Sequence, residues 1–328
     1  MTDPQIDVHL EADAWAPQLR ADVLAGLTAS PKTLPPKWFY DDAGSDLFDQ
    51  ITRLPEYYPT EAEREILVSR AGEIARLSGA DTVIELGSGT SDKTRALLDA
   101  FTSTGQLQRF VPFDVSEQTL IDAAKFIGED YPGLVIHAVV GDFERHLNYL
   151  PTGGKRMIVF LGGTIGNFTP SERLEFLRSL VATMAPGDSF LLGTDLVKDH
   201  DRLVTAYDDS EGVTAEFNKN VLKVINRNLD ADFDLSTFDH VALFNTEQEW
   251  IEMRLRSRID QLVHIGALDL EVPFVAGEEI RTEISAKFTA DRVRNELGMV
   301  GLELTNWWTD SDGDFGVSLS RPTAALVQ

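Results

Sequence analysis

The chain reads as an α/β protein: a doubly wound, mostly parallel sheet, accompanied by a second α+β domain built from the N-terminal segment and an insertion. Three observations predict this. Short, near-continuous apolar runs alternate with helical patterns between residues 83 and 195, as buried parallel strands do when helices cover both faces of a sheet. Each run ends in glycine or a carboxylate, residue types suited to the carboxyl edge where such sheets hold ligands. The stretches 1–60 and 197–285 break that rhythm with prolines, aromatic residues and period-two alternation. The expected division is therefore 1–60 and 197–285 for the second domain, with 61–196 and 286–328 for the sheet domain.

Taken in chain order, the N-terminal segment carries Leu34, Pro35, Pro36, Trp38 and Tyr40, then Leu54, Pro55, Glu56, Tyr57, Tyr58, Pro59 and Thr60. The prolines fix a loop that displays Tyr40, Tyr57 and Tyr58. Such tyrosines are commonly half-buried core residues with a satisfied hydroxyl; three in loops beside a ligand-binding core point toward a pocket wall. Thr60 and Glu63 read as a capping box for the next helix.

Residues 83–90 form the first strand of the sheet, which breaks into a turn at Gly87, Ser88 and Gly89 and opens a helix near Lys93. Gly87 and Gly89 carry no Cβ, so the backbone can pass close to a ligand, and the helix start offers unpaired N–H groups. A dinucleotide fingerprint would place a third glycine at 92. Asp92 stands there instead and would oppose a pyrophosphate. Glu85 before a two-glycine loop suits S-adenosylmethionine better, because that molecule has no phosphate and carries a sulfonium cation.

Residues 109–114 make a second strand ending in Asp114, placed to grip a ribose diol. Residues 134–143 make a third, ending in Gly141, Asp142 and Phe143, a polar and aromatic pair able to bond and stack on adenine. Residues 157–164 are a fourth, ending in Gly162 and Gly163, and a turn at 185–188 leads to a fifth ending at Asp195. In the insertion, Phe217, Val221 and Ile225 fall on one helical stripe. Alternation over 250–256 and 280–288 predicts strands, with Ile280, Ile284 and Phe288 on one face and Glu283 with Ser285 on the other. Residues 301–308 and 315–319 flank a turn at 310–314 and read as a closing hairpin.

Composition narrows the function. Lys and Arg number 29 against 54 Asp and Glu, a net charge of -25 at pH 7. That field repels nucleic acid and anionic membrane surfaces. No cysteine is present, which excludes disulfides, thiol nucleophiles and thiolate metal sites and suits a reducing cytoplasm. The first residues lack the basic and apolar regions of a signal peptide, and no apolar run approaches membrane-spanning length. The six histidines are scattered without ligand spacing, so no metal is expected. A cytoplasmic monomer acting on a small molecule is the expectation.

The sheet pattern and its closing hairpin resemble class I S-adenosylmethionine-dependent methyltransferases. The segment from Leu34 to Tyr40, the run from Leu54 to Thr60, the stretch from Phe160 through Gly162, Gly163, Gly166 and Asn167 to Phe168, and Glu283 with Ser285 are similar to the histidine Nα-methyltransferase of ergothioneine biosynthesis. The resemblance implies conversion of L-histidine to its trimethylammonium betaine, hercynine, with S-adenosylhomocysteine as the other product. It places imidazole contacts on Tyr57, Glu283 and Ser285, amino-acid backbone contacts on Asn167 and Tyr207, and Tyr40 near the amine; physical reasoning adds the Gly162 backbone at the amine and Tyr40 and Tyr57 as candidate proton relays. It places cofactor contacts on Gly87, Lys93, Asp114, Asp142 and Phe143, to which the strand-and-turn pattern adds Glu85, Ser88, Gly89 and Gly141. A tryptophan Nα-methyltransferase stays open as an alternative, although a carboxylate at 283 would find only one N–H on an indole. A nicotinamide dehydrogenase, opposed by Asp92, and a catalytically inert sensor are the readings from other classes.

Overall fold

The computed structural model describes residues 4–10, 15–89, 91 and 93–323. Thr90 and Asp92 lie outside the described residues, and with them the test of the third-glycine position. The strands are β1 (Gln5–Val8), β2 (Lys32–Thr33), β3 (Thr82–Leu86), β4 (Arg109–Asp114), β5 (Val135–Val140), β6 (Arg156–Phe160) and β7 (Ser189–Asp195). They continue as β8 (Phe238–Asn245), β9 (Trp250–Ser257), β10 (Gln261–Ile265), β11 (Leu270–Phe274), β12 (Glu279–Ala286), β13 (Leu302–Thr309) and β14 (Phe315–Pro322). The α-helices are α1 (Trp15–Thr28), α2 (Asp42–Ile51), α3 (Pro59–Ser78), α4 (Arg95–Ser103), α5 (Glu117–Asp130), α6 (Pro170–Thr183), α7 (His200–Thr205), α8 (Val213–Leu229) and α9 (Ala290–Met299). No helix among the described residues is long and apolar enough to cross a membrane.

Two compact units emerge: Met1–Leu10, Pro59–Leu196 and Phe288–Gln328 make the first, Glu11–Tyr58 and Val197–Lys287 the second. The first is built on one eight-stranded sheet in the order β1-β5-β4-β3-β6-β7-β14-β13. Neighbours from β1 to β7 are parallel; β14 runs antiparallel to β7, and β13 to β14. Strands β3, β6 and β7 are buried at every position, which is why they read as unbroken apolar runs rather than alternating ones. Strand order reverses between β3 and β6. Doubly wound sheets leave their ligand crevice at such a switch point, beyond the carboxyl ends of the strands. Buried Arg156 holds β6 against the turn before β7, its Nε 2.9 Å from Asp188 Oδ2. Helix α6 starts with the capping box of Thr169 and Glu172, with Pro170 at its first position.

Two expectations change here. The start of the chain belongs to the sheet: β1 adds a parallel edge strand beside β5, so residues 4–8 do not join the second unit. Four residues are too few to show a period. Nor does Glu63 cap α3. Its side chain is fully buried and turns away to other partners described below.

The second unit has a four-stranded sheet in the order β2-β12-β9-β8 and a separate hairpin of β10 and β11. Its core gathers Phe217, Val221 and Ile225 of α8 with Ile251, Met253 and Leu255 of β9 and Ile280 of β12. Strand β12 carries a bulge between Arg281 and Glu283. Before it, Ile280 pairs with Leu255; after it, Glu283 pairs with Met253 and Ser285 with Ile251. Directly paired residues share a face. The extra residue, Thr282, therefore shifts the phase, so that Ile280, Glu283 and Ser285 share the face of Leu255, Met253 and Ile251, while Ile284 turns to the other side. Glu283 and Ser285 do lie together, but Ile280 and Ile284 do not share a face as strict alternation predicts. The bulge is held from α8: Thr282 Oγ1 donates to Asn218 Oδ1 at 2.6 Å, and Asn218 Nδ2 donates to the Arg254 carbonyl at 3.0 Å.

Candidate active site

In the first unit the site residues collect at the carboxyl ends of β3, β4, β5 and β6. The turn after β3 takes left-handed backbone at Gly87 (φ 69°), Gly89 (φ 49°) and Ser91 (φ 57°). Gly87 N–H and Ser88 N–H both donate to the Phe113 carbonyl, at 2.8 and 3.1 Å, which folds the turn over the end of β4. A Cβ on Gly89 would meet nothing within 4 Å among the described residues. Glu85 is buried and accepts a hydrogen bond from Thr94 Oγ1. Burial pushes its carboxyl up to about 7, against the opposing bond from Thr94. Glu85 Oε2, Ser88 Oγ and Ser91 Oγ are buried without a partner among the described residues. Unmet polar atoms around a glycine turn fit a polar, cationic ligand.

Asp114 ends β4 and accepts from Gly89 N at 2.9 Å and Ser116 N at 3.0 Å. A carboxylate offers about four lone-pair sites, so a diol can still bind. After β5, Gly141 leaves no room for a side chain, since a Cβ would sit 2.9 Å from the Phe113 ring. Asp142 Oδ1 accepts from Glu144 N at 2.8 Å. The Phe143 ring packs edge-on against Phe160 and Phe176, with centroids 5.3 and 5.9 Å away. A Cβ on Gly87 would lie 3.8 Å from Phe143, so turn and ring are neighbours. After β6 the chain turns through Gly162 (φ 77°) and Gly163 (φ 68°) into a short 3₁₀ segment, Thr164–Asn167. Asn167 is half-buried there.

Glu63 was missed as a site residue. Its Oε1 accepts from Gly162 N at 2.7 Å and its Oε2 pairs with Lys93 Nζ at 2.9 Å. One buried carboxylate thus ties the glycine loop after β6 to the helix start after β3. Gly193 of β7 makes the space, because a Cβ there would stand 2.3 Å from Glu63 Oε1.

The second unit brings together Tyr40, Tyr57, Tyr207, Glu283 and Ser285. Tyr40 follows the 3₁₀ turn Pro36–Phe39, its ring 5.6 Å from Phe48 and 5.4 Å from Phe217. The Tyr57 ring lies 6.2 Å from Phe48 and 6.2 Å from Tyr207. Desolvation raises the Tyr40 phenol well above its ordinary value, and the charges of Glu283, Tyr57 and Tyr207 add to the shift. Tyr40 is nonetheless 45% exposed. Glu283 has the same character: half-buried, with loss of hydration pushing its carboxyl up to about 7 against the pull of Lys287. Ser285 Oγ lies 2.8 Å from Tyr207 Oη.

Lys287 is the second residue missed. Fully buried, it bonds to both Tyr207 Oη and Ser285 Oγ. Its position two residues beyond Ser285, in the phase of Glu283 and Ser285, is the signal that could have found it. His240 and Asn218 form a supporting layer: Asn218 Nδ2 donates to His240 Nδ1 at 2.8 Å, and His240 Nε2 bonds the Tyr207 carbonyl at 2.8 Å. Burial lowers the pKa of His240, in keeping with a neutral ring.

Among the described residues, one carboxylate group could gather around a cation, Asp310, Asp312 and Asp314, in the turn between β13 and β14. Asp310 there already accepts from Phe315 N at 2.7 Å.

The sheet order, the closing hairpin and the glycine turn at the switch point define a class I S-adenosylmethionine-dependent methyltransferase fold. A family model described as histidine-specific, SAM-dependent methyltransferase matches residues 19–322, and the chain belongs to that family. It is 61% identical to a histidine N-alpha-methyltransferase of Mycolicibacterium smegmatis over 312 residues, 95% of this chain and 97% of the relative. It is 59% identical to the protein of that name from Mycobacterium tuberculosis, with the same coverage. It is 28% identical to the L-tryptophan methyltransferase trpM of Psilocybe serbica over 93% of each chain.

Proposed function

We propose that the protein transfers methyl groups from S-adenosylmethionine to the α-amino group of L-histidine, three times in succession, giving hercynine for ergothioneine biosynthesis. The observation that carries this reading is the placing of Glu283 and Ser285 on one face of β12, an acceptor and a hydroxyl two residues apart, in a chain of the histidine-specific family. Glu283 takes an imidazole N–H and Ser285 the other ring nitrogen, with Tyr57 against the ring. Tyr207, Asn167 and the Gly162 backbone serve the amino-acid end. Asn167 offers an acceptor and two donors, so it can serve both ends of a zwitterion.

In the first unit, Asp114 holds the ribose diol, and Asp142 and Phe143 hold the adenine. Glu85, Gly87, Ser88, Gly89, Lys93 and Gly141 shape the remainder of the cofactor crevice. S-adenosylmethionine supplies an electrophilic methyl on a sulfonium when bound.

The nucleophile is the neutral amine. A peptide α-amino group has a pKa of roughly 8; in a free amino acid the adjacent carboxylate favours the ammonium, so the neutral amine is a minor form at neutral pH and reaching it costs more than about 1.4 kcal/mol. A hydrogen-bond relay to water is enough to carry the released proton. Tyr40 retains its proton and therefore acts as a hydrogen-bond partner or relay, not as a base. Orientation contributes far more, roughly 7–11 kcal/mol. As methyl groups accumulate, the faces of Tyr40 and Tyr57 stabilise the growing cation by roughly 0.5–2 kcal/mol.

Incubating the protein with S-adenosylmethionine and either L-histidine or L-tryptophan tests the reading by mass spectrometry. Histidine is expected to gain up to three methyl increments and tryptophan none; methylated tryptophan with unmodified histidine would transfer the reading to the indole substrate. The proposal includes a metal-free reaction by a cytoplasmic monomer; the cysteine-free composition supports the compartment, and the scattered histidines support the metal-free reaction. Full turnover after treatment with a chelator and sedimentation as a single monomeric species are the expected results.

A further inference from the structure

Lys287 stands just beyond the end of β12, fully buried. Its Nζ lies 2.9 Å from Ser285 Oγ and 3.0 Å from Tyr207 Oη, and those two oxygens are 2.8 Å apart. The three atoms close a triangle. The same Nζ sits 4.6 Å from the centroid of the Tyr207 ring, so the cation also meets an aromatic face.

The directions of the bonds follow from chemistry. An ammonium has three donors and no acceptor, so both oxygens accept from Lys287. One hydrogen remains to pass between the two hydroxyls. A phenol, with a pKa of about 10, is a far stronger acid than an aliphatic alcohol. Tyr207 therefore donates and Ser285 accepts. Both lone pairs of Ser285 Oγ are then filled, one by Lys287 and one by Tyr207, and its own hydrogen is left to give.

We infer that Lys287 is a positioning residue for substrate selection: its ammonium orders the Tyr207 and Ser285 hydroxyls so that Ser285 can only donate to the substrate ring. The inference rests on the histidine reading above. A neutral imidazole presents one N–H and one bare nitrogen. Glu283 accepts from the first, and a Ser285 fixed as donor meets the second. An indole has no bare ring nitrogen, and an imidazolium has two N–H groups. Lys287 thereby makes the site read a donor and an acceptor on the same ring, where an unconstrained serine would accept either.

The test is a double-mutant cycle on the full-length protein. Lys287→Met keeps the stem and removes the donors; it is expected to raise the histidine KM at least about tenfold, with a smaller change in kcat. Affinity for S-adenosylhomocysteine, measured by calorimetry, is expected to stay within about twofold of wild type. In a Ser285→Ala background the same change is expected to add no more than about twofold, because the two residues act as one unit. Lys287→Arg, which keeps donors, is expected to recover part of the loss. Should Lys287→Met fail to fold, Lys287→Gln takes its place in the cycle: its amide oxygen can accept from the Ser285 hydroxyl, so the histidine KM is expected to rise similarly, and only where Ser285 is present. An unchanged histidine KM in the folded variant, or the same loss with and without Ser285, overturns the inference. A wild-type protein that leaves histidine unmethylated overturns the histidine reading itself, a separate result.

Discussion

Glu85 and Glu283 each hold a carboxyl pushed up to about 7, chiefly by burial. Such a group binds its proton more tightly in the folded chain than in the unfolded one. Its stabilising share is full below the ordinary value of 4.5 and is lost as pH rises through about 7. Glu283→Gln removes that share. The unfolding temperature of the variant minus that of wild type is therefore expected to grow more positive from about pH 5 to about pH 8. Scanning calorimetry checks this, and a flat difference contradicts the raised value. Tyr40→Phe keeps the ring and loses the hydroxyl. Steady-state rates should show kcat down by about tenfold with histidine KM little changed, short of the roughly 10²–10⁴ of a full acid–base catalyst. At this scale, period-two spacing was enough to pair Glu283 with Ser285. Lys287 shares that phase but, like Glu63, was passed over, because a lysine or glutamate in a sequence reads as solvated. Lys287 is buried by Tyr207, 80 residues earlier in the chain, and Glu63 is drawn to the N–H of Gly162, 99 residues later.

The bulge in β12 and the glycine in β7 are element-scale devices. Bulges re-aim side chains beside sites, and the one at Thr282 brings Glu283 onto the face of Met253. Thr282→Val removes the hydroxyl that Asn218 holds. It leaves an unmet buried acceptor, so a stability loss of about 1–3 kcal/mol is expected. Histidine affinity is expected to fall with it although Thr282 makes no proposed substrate contact; chemical denaturation and calorimetry measure the two effects. Gly193→Ala drives a Cβ to 2.3 Å from Glu63 Oε1 and 3.1 Å from the Phe315 ring. Overpacking of this kind costs about 1–3 kcal/mol, and displacement of Glu63 is expected to weaken S-adenosylhomocysteine binding as well. An unchanged unfolding midpoint would show that Glu63 has room to move. The stripe of α8 was readable because 3.6-residue spacing survives in Phe217, Val221 and Ile225. The bulge was not, because an extra residue leaves the same letters in the same order and changes only their phase.

At the scale of the whole molecule, the alternation of apolar runs with helices points to a doubly wound sheet, since parallel strands buried on both faces read as such runs and helices join them. The discontinuous second unit was legible as a change of pattern at residues 34–60 and 197–285. Edge strand β1 was not, because an exposed strand of four residues carries almost no burial signal. The net charge of -25 bears on partners rather than on fold. The central claim is that Glu283 holds the imidazole of histidine, and it is tested most directly by titrating L-histidine into wild-type protein and Glu283→Ala, each saturated with S-adenosylhomocysteine. A charged hydrogen bond of about 1.5–3 kcal/mol corresponds to a roughly 10- to 150-fold weaker histidine affinity in the variant, with S-adenosylhomocysteine binding intact. Equal histidine affinities in the two proteins would contradict it.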